Sequence, residues 1–377
     1  MIRSEKLRPL LHDAPAAARA AELSYATEPA PGYRRRRVGR GFAYYDADGR
    51  RIRSPEQLAR LRALAIPPAW KNVWISPSSR SHIQATGEDA KGRKQYKYHP
   101  RFRAVRDAAK YAHILRFAEH LPGLRRRVRR DLRRAGLDRD KVLSALVELM
   151  QRTCVRVGND CYALANGSYG LTTLRDRHAR IRGAELRFKF KGKGGKLHEI
   201  TLEDARLARL VRRCREVPGQ RLFQFVDDDG KAHPVTSGDV NAYLRRATGE
   251  PFSAKDFRTW TGTMLAVHRL AASASPESER AARRQVKQAL ERVSTELGNT
   301  AAVCRKSYVH PSVIEQYTRG ELSASIARAR RAARRRPVRG LREPEAVVLH
   351  WLRALPVGPL GERARRRASP RVARSPR

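Results

Sequence analysis

The sequence predicts an α+β protein in which a small β-rich N-terminal domain precedes a larger, mainly α-helical domain. Up to residue 100, apolar and aromatic residues alternate with basic ones in short runs separated by turn residues, which is the pattern of strands. After Pro100, apolar residues recur every three or four positions, which is the pattern of helices. A second alternating run at 186–202, interrupted at 192–195 by Gly-Lys-Gly-Gly, predicts one β-hairpin within the helical part.

The elements of the first domain are bounded by turn and proline signals. Residues 1–32 are rich in Ala and Pro, so we expect them to be poorly ordered. Residues 33–100 form the β-rich domain. Its predicted elements are an extended basic run at 33–45, a turn at 46–49, an extended segment at 51–53, a helix at 55–64, and strands at 73–75, 82–87 and 92–99.

The second domain is predicted to extend over residues 101–322. Its helices are predicted around 102–112, 124–132, 140–150, 204–214, 239–247 and 286–297, after Ser253, and in a short segment that carries Tyr308 and stops before Pro311. Residues 323–377 contain 16 Arg and 3 acids. Apart from a segment at 347–355, we predict that they form a disordered basic tail that contacts DNA phosphates.

The charge of the chain predicts a nucleic-acid partner. Lys and Arg total 81 against 37 Asp and Glu, a net charge of +44 spread over 377 residues. A membrane surface is the rival partner, but no long apolar run or amphipathic stripe favours it. Arg19 interrupts the Ala-rich N-terminal stretch, so no secretory segment is predicted. We expect a cytoplasmic, nucleoid-associated protein that binds double-stranded DNA as a monomer.

The cysteines do not suggest a metal site. Cys154, Cys161, Cys214 and Cys304 form no Cys-x-x-Cys pair and lack a histidine at zinc spacing. We interpret them as reduced thiols. Acidic residues do not cluster either, and there is no Walker-type glycine loop, so we predict no metal and no small-molecule cofactor.

A set of cations in a fixed order surrounds one tyrosine. Tyr308 follows Arg305 and Lys306, and a tyrosine hydroxyl becomes a useful nucleophile where cations surround it and a phosphate is presented. Each of these residues is weak evidence alone in so basic a chain, where a lone tyrosine is usually an interface aromatic. The ordered set is more specific. It consists of Arg156, Lys193, Lys255 with Arg258, Asn299 and Tyr308.

With these residues the chain resembles the small type IB DNA topoisomerases of poxviruses and bacteria, over about 33–321. The resemblance implies the fold shared by type IB topoisomerases and tyrosine recombinases, and a catalytic role for Arg156, Lys193, Lys255, Arg258, Asn299 and Tyr308. Lys191 is the less favoured hairpin lysine. Viral members have His where this chain has Asn299, and an acid where it has Gly194. The shortest members lack a counterpart of 323–377.

The resemblance also implies a mechanism. Tyr308 attacks a phosphodiester and leaves a 3′-phosphotyrosine, while Arg156 and Arg258 stabilise the charge on the non-bridging oxygens. Asn299 adds a neutral hydrogen bond. Lys193 protonates the leaving 5′-oxygen, with Lys255 as a possible relay. The covalent bond stores the energy for religation, so neither ATP nor metal is expected.

DNA contacts are predicted in the β-rich domain and after Arg156. Basic residues interleaved with aromatics at 92–99 suit a strand lying against nucleic acid, although a solvated edge strand has the same pattern. The resemblance implies that a Gln-Tyr-x-Tyr motif touches the bases. The predicted DNA-binding residues are Arg93, Lys94, Gln95, Tyr96, Tyr98 and Tyr162.

Two alternatives stay open at the level of sequence. A tyrosine recombinase or integrase shares the fold and the order of catalytic residues, but usually has His-x-x-Arg where this chain has Lys255 and Arg258. A non-catalytic basic protein that coats DNA would explain the charge, but not the ordered set. Relaxation of a plasmid without ATP or Mg²⁺ distinguishes the three.

Overall fold

A computed structural model describes residues 9–27 and 30–355. These residues divide into two compact units at 113/114. The boundary predicted near residue 100 lies within the first of these units. It marks the start of a long helix, Pro100–Asp131, whose apolar positions continue without a break past residue 113.

The first unit contains a five-stranded antiparallel sheet of order β2-β1-β3-β4-β5. Its strands are β1 (Tyr33–Val38), β2 (Gly41–Tyr45), β3 (Lys71–Ile75), β4 (Ile83–Glu88) and β5 (Lys94–Tyr98). The basic run predicted at 33–45 is two strands, because Gly39 turns the chain with φ +56°. The core contains Ile52, Leu61, Val73 and Ile75.

The N-terminal segment is ordered where the structure describes it, so the prediction of a poorly ordered 1–32 is wrong for this part. Helix α1 (Ala14–Ala20) is capped by Asp13, whose Oδ1 accepts from the Ala16 N–H at 2.8 Å. Ala17 and Ala18 are fully buried in one cluster with Phe102 and Ala109. Alanine is a strong helix former, and its small side chain lets the two helices approach closely.

The second unit is mainly helical. Helix α2 (Pro55–Ala63) belongs to the first unit, and α3 (Pro100–Asp131) begins there and continues into the second. The remaining α-helices of the described chain are α4 (Arg139–Thr153), α5 (Asp160–Asn166), α6 (Ala205–Glu216), α7 (Ser237–Thr248), α8 (Ala254–Ala271), α9 (Glu279–Leu297), α10 (Ala301–Ser307), α11 (Pro311–Thr318), α12 (Leu322–Arg335) and α13 (Glu343–Ala354). The helices predicted at 204–214, 239–247 and after Ser253 are confirmed. The Asp256 carboxylate caps α8 by accepting from the N–H and the hydroxyl of Ser253.

The predicted hairpin is confirmed and gains a third strand. Strands β6 (Ala179–Arg182), β7 (Glu185–Lys191) and β8 (Leu197–Glu203) form an antiparallel sheet of order β6-β7-β8. Leu186, Phe188 and Phe190 alternate with basic residues and are buried, as the period of two requires. A short pair, β9 (Gln224–Val226) and β10 (Ala232–Pro234), completes the strands.

The prediction of a disordered tail is wrong for residues 323–346, whereas the segment excepted at 347–355 lies largely within helix α13. Helix α12 buries Leu322, Ile326, Ala329 and Ala333, whose helical spacing is hidden between arginines in the sequence. Helix α13 buries Trp351 completely. Burial of these apolar side chains outweighs the repulsion among exposed arginines. Residues 356–377 lie outside the described part.

In the part of the chain that the structure describes, no helix combines the length and the apolar character needed to cross a membrane.

Candidate active site

The main chain of Arg156 is held by a glycine-dependent packing of two loops. The Leu171 N–H donates to the Arg156 carbonyl at 3.0 Å, just beyond Gly170. A Cβ on Gly170 would lie 2.5 Å from the Gly158 nitrogen and 2.6 Å from the Arg156 carbonyl oxygen. Gly170 is therefore required for the close approach that fixes where the Arg156 side chain begins.

The Arg156 side chain reaches the loop between α9 and α10. Its guanidinium donates to the Gly298 carbonyl at 3.4 Å and to Oδ1 of Asn299. Burial, together with the nearby charge of Arg258, lowers the pKa of Arg156 to about 10. The group therefore stays protonated at neutral pH, and its charge is only partly solvated.

Arg258 is a buried cation with neutral partners. It lies on α8, is 5% exposed, and donates to the carbonyls of Cys154 and Leu297. Its Nε is buried and has no hydrogen-bond partner among the described residues. A buried charge held only by neutral dipoles is costly, so the arrangement favours an anion beside it.

Asn299 follows the end of α9. Gly298 ends that helix in the left-handed region at φ +59°, and the Asn299 N–H returns to the Ser294 carbonyl at 2.9 Å. The side chain is 8% exposed, and its amide nitrogen lacks a hydrogen-bond acceptor within the described residues. Asn299 is thus bound to Arg156 through its oxygen, while its N–H groups are available.

Tyr308 lies just after α10, as its C-terminal cap, and not within the helix as predicted. Its ring centroid is 5.2 Å from Cζ of Arg258. Its carbonyl accepts from the Thr263 hydroxyl at 3.2 Å, and a Cβ on Gly262 would lie 2.8 Å from the same oxygen. Because Arg258 and Gly262 are one turn apart on α8, this helix positions both the cation and the tyrosine.

The hairpin reaches the site through residues that the sequence analysis did not select. The Lys196 ammonium donates to the Asn299 carbonyl. The His198 ring stacks on Phe190, with centroids 5.1 Å apart, and a Cβ on Gly298 would lie 2.7 Å from its Cε1. Burial lowers the pKa of His198, and three nearby cations lower it further, so the ring is neutral at pH 7.

The predicted catalytic set is therefore assembled in part. Arg156, Arg258, Asn299 and Tyr308 share one network, to which the structure adds Lys196. Lys193 and Lys255 are exposed, and within residues 9–27 and 30–355 no hydrogen bond or ion pair joins their side chains to that network. Two features of the sequence could have revealed the missed contacts. Gly262 is a glycine inside helix α8, and Lys196 is a further lysine in the hairpin turn.

The predicted DNA contacts divide between the two faces of β5. Tyr96 and Tyr98 are 43% and 37% exposed, and their rings stack with centroids 5.9 Å apart. Gln95 alternates to the other face, where its amide donates to Asp89 at 3.0 Å. Arg93 also pairs with Asp89, at 2.7 Å, which holds the pKa of this carboxyl at about 2.

Lys94 and two exposed tyrosines outside β5 are further candidates for contact with DNA. Lys94 Nζ lies 5.9 Å from the centre of the Tyr96 ring. Tyr25, which the sequence analysis missed, is 45% exposed and stacks on His82, whose ring is 6.3 Å from that of Tyr98. In the second unit, Tyr162 is 52% exposed on α5, a helix without a buried residue.

Within the described ranges, no three or more His, Cys, Asp or Glu side chains come together as ligands for a metal ion. The donors of the site are guanidinium, ammonium and amide groups. Such a set suits an anion with several oxygens, of which a phosphodiester is the one that a basic chain meets most often.

Comparison with known proteins gives the family. A profile described as the catalytic core of eukaryotic DNA topoisomerase I matches residues 99–333, and one described as the N-terminal domain of bacterial DNA topoisomerase IB matches 41–89. The chain is 31% identical over 293 residues to DNA topoisomerase 1B of Acanthamoeba polyphaga mimivirus, covering 76% of this chain and 87% of the relative.

Two poxvirus proteins are more distant relatives. The DNA topoisomerase I of monkeypox virus is 21% identical over 249 residues, which are 65% of this chain and 75% of the relative. The DNA topoisomerase 1B of vaccinia virus (strain Copenhagen) is 24% identical over 133 residues, which are 35% and 42%. On the extent of the first profile match and of the mimivirus match, this chain belongs to the DNA topoisomerase IB family.

Proposed function

We propose that this protein relaxes supercoiled double-stranded DNA by reversible single-strand cleavage, in the order of steps implied by its family. The observation that supports it best is the Arg258 guanidinium 5.2 Å from the centre of the Tyr308 ring, in a cluster whose hydrogen-bond partners are neutral. We also infer that residues 114–355 have the fold shared by type IB topoisomerases and tyrosine recombinases.

The phosphodiester binds where donors are unsatisfied. The Nε of Arg258 and the amide nitrogen of Asn299 are both buried without partners among the described residues, and Arg156 lies beside them. A non-bridging phosphate oxygen satisfies such donors. Because these groups are already fixed, they stabilise the additional negative charge of the transition state without reorganisation.

The reaction exchanges one phosphate ester for another. Tyr308 Oη forms a bond to phosphorus and loses its proton, while the bond from phosphorus to the 5′-oxygen breaks and that oxygen gains a proton. The product is a 3′-phosphotyrosine and a free 5′-hydroxyl. The freed strand rotates, and the same steps in reverse reseal the DNA. The number of ester bonds is unchanged, so no ATP is required, and in this proposal the guanidinium and amide donors stabilise the phosphate charge in place of a metal ion.

Lys193 supplies the proton to the 5′-oxygen in this proposal. It lies exposed at the tip of the hairpin before Gly194 and Gly195, which both have φ +76°. Lys255 precedes Arg258 by three positions on α8, so the two side chains are neighbours on the helix surface. Lys255 is placed to relay the proton.

DNA is held by exposed aromatics and by the excess of positive charge. Tyr96 and Tyr98 present stacked rings beside Lys94, and Tyr162 projects from α5 in the second unit. Base stacking and phosphate contacts together account for binding with little dependence on sequence. We propose that the protein acts as a monomer.

Relaxation of a negatively supercoiled plasmid in EDTA without ATP tests the proposal. We expect complete relaxation, together with a covalent protein–DNA adduct on Tyr308 when the reaction is stopped with detergent. A recombinase would instead require paired target sites, and a coating protein would leave the plasmid supercoiled. Either result would refute the proposal.

A further inference from the structure

Helix α13 lies beyond the part of the chain that matches the family profile, which ends at residue 333. Helix α13 nevertheless contacts the segment that follows Tyr308. We propose that α13 is a positioning element for the nucleophile, and that Trp351 acts on Tyr308 through His310. The inference rests on the proposed role of Tyr308 and adds a residue that lies outside both the sequence motifs and the profile match.

The first step concerns the main chain around Tyr308. The Thr263 hydroxyl donates to the Tyr308 carbonyl at 3.2 Å and accepts from the His310 N–H at 3.1 Å. One side chain of α8 thus fixes the backbone on both sides of Val309. A shift of His310 is transmitted to Tyr308, because only one buried residue separates them.

The second step is the contact of Trp351 with this segment. Trp351 is fully buried, and its ring meets that of His310 edge to face, with centroids 5.7 Å apart. Its indole N–H donates to Oε1 of Gln316 at 2.9 Å. His310 is the N-terminal cap of α11 and Gln316 lies within that helix, so one indole holds two points along it.

The third step is the anchoring of α13 itself. Glu345 is 1% exposed, and its two oxygens accept from Arg125 of α3 at 2.7 Å each. Burial alone would raise its pKa, but Arg125 and Arg342 outweigh burial and hold the pKa at about 2. The pair is therefore ionised at neutral pH. A His268 ring nitrogen of α8 lies 3.2 Å from the Pro344 carbonyl oxygen.

These contacts connect α3, α8 and α11 through one helix. Helix α8 positions Arg258, and the segment that leads into α11 positions Tyr308. Because α13 contacts both, it fixes the position of the cation relative to the nucleophile. Attack on phosphorus depends on distance and angle, and a displacement of about 1 Å can slow a reaction ~100-fold.

The test replaces Trp351 with smaller apolar side chains, and a separate control accounts for the packing that is lost. Trp351→Leu retains apolar bulk but removes the ring edge and the N–H, whereas Trp351→Phe retains a ring against His310. We expect Trp351→Leu to slow single-turnover cleavage of a saturating duplex ~10- to 100-fold. Its Kd for DNA should stay within about threefold, since no phosphate contact is lost. Trp351→Phe should restore most of the rate.

A sulfur-bridged substrate separates positioning from proton supply. Replacing the bridging 5′-oxygen by sulfur gives a leaving group that needs no proton. We expect no rescue of Trp351→Leu by this substrate, because the misplaced atom is the attacking oxygen. Rescue would contradict the inference.

Val240→Ala on α7 is the matched control for stability, since Val240 is fully buried and belongs to another helix. All variants are assayed well below the Tm of the least stable one. If Val240→Ala and Trp351→Leu slow cleavage equally at equal loss of Tm, or if Trp351→Leu cleaves at the wild-type rate, the inference is wrong. A wild-type protein that forms no adduct would instead refute the proposed function.

Discussion

The second unit contains two tyrosine–arginine clusters that differ in one component. At Tyr243 the hydroxyl donates to the Asp131 carboxylate at 2.8 Å, and Arg127 pairs with the same carboxylate at 2.6 Å. At Tyr308 the hydrogen-bond partners of the neighbouring Arg258 in the described part of the chain are neutral carbonyls. The first cluster contains its own anion, whereas the second is completed only when an anion binds.

The carboxylate decides what each cluster can do. Burial raises the pKa of Tyr243, and the hydrogen bond to Asp131 raises it further, so this phenol is held protonated. Asp131 also neutralises Arg127 and makes the cluster a cross-link between α3 and α7. Within residues 9–27 and 30–355, Tyr308 and Arg258 have no such carboxylate partner, and we propose that they act on a phosphate.

The largest expected effect separates the two tyrosines. Tyr308→Phe should abolish relaxation and adduct formation while DNA affinity stays near wild type, because only the nucleophilic oxygen is lost. Tyr243→Phe should lower the free energy of unfolding by about 2 kcal/mol, the range for a hydrogen bond to a charged group, and retain cleavage. Plasmid relaxation and urea denaturation measure the two. If Tyr308→Phe remained active, another residue would have to be the nucleophile, and Tyr317 is the next candidate.

The Tyr308 cluster contains no carboxyl group among the described residues, and we propose that the hairpin lysine Lys193 protonates the leaving 5′-oxygen. Lys193→Ala should slow cleavage of an ordinary phosphodiester ~10²–10⁴-fold, the usual effect of a positioned acid. A 5′-bridging sulfur should restore it to near the wild-type rate. Lys191→Ala and Lys196→Ala are the matched controls. If sulfur rescues Lys196→Ala but not Lys193→Ala, the acid is Lys196.

Removing an arginine should have opposite consequences in the two clusters. Arg258→Ala should slow cleavage ~10²–10³-fold without sulfur rescue, because the non-bridging charge remains. Its stability should change little, since the buried cation has no anionic partner in the free protein. Arg127→Ala leaves Asp131 with a weaker partner and should destabilise the fold by about 3 kcal/mol. Equal losses of stability in both variants would invalidate the comparison.

The Asp131 carboxylate should also make the stability of the protein depend on pH in the acidic range. Burial opposes ionisation of Asp131, but Arg127 and Tyr243 outweigh it and lower the pKa below its ordinary value of 3.8. A depressed folded-state pKa contributes stability above the unfolded value, and this contribution is lost as the pH falls through the folded value. The stability difference between wild type and Asp131→Asn should therefore shrink below pH 3.8. A difference that is constant down to pH 2 would contradict this.

The smallest effect concerns the charge beyond α13. Residues 356–377 contain seven arginines and one acid. Their deletion should weaken DNA binding and flatten its salt dependence, because fewer counterions are released, while cleavage at saturation is unchanged. Binding titrations at several salt concentrations measure the slope. A deletion from 323 is not equivalent, since it removes the buried helices α12 and α13.

Much of the fold was predictable because its signals are local. The hairpin at 185–203 shows a period of two, and α7 and α8 show helical periods with capping residues at their starts. The failures have local causes as well. In α12, arginines obscure a regular apolar face, and at 14–20 alanine content suggests disorder although alanine also favours helices.

The sequence by itself determined which residues are the candidates for the site, because a tyrosine, two arginines and an asparagine in this order resemble the catalytic set of the type IB topoisomerases. The tertiary structure decided which cations join them. Arg156 meets Asn299 across 143 positions, and Arg258 meets Cys154 across 104. Lys196, Thr263 and Trp351 likewise reach this region through contacts between segments that are far apart in the sequence. No periodicity records such contacts, because they depend on where chain segments pack and on whether an acid lies beside a base in space.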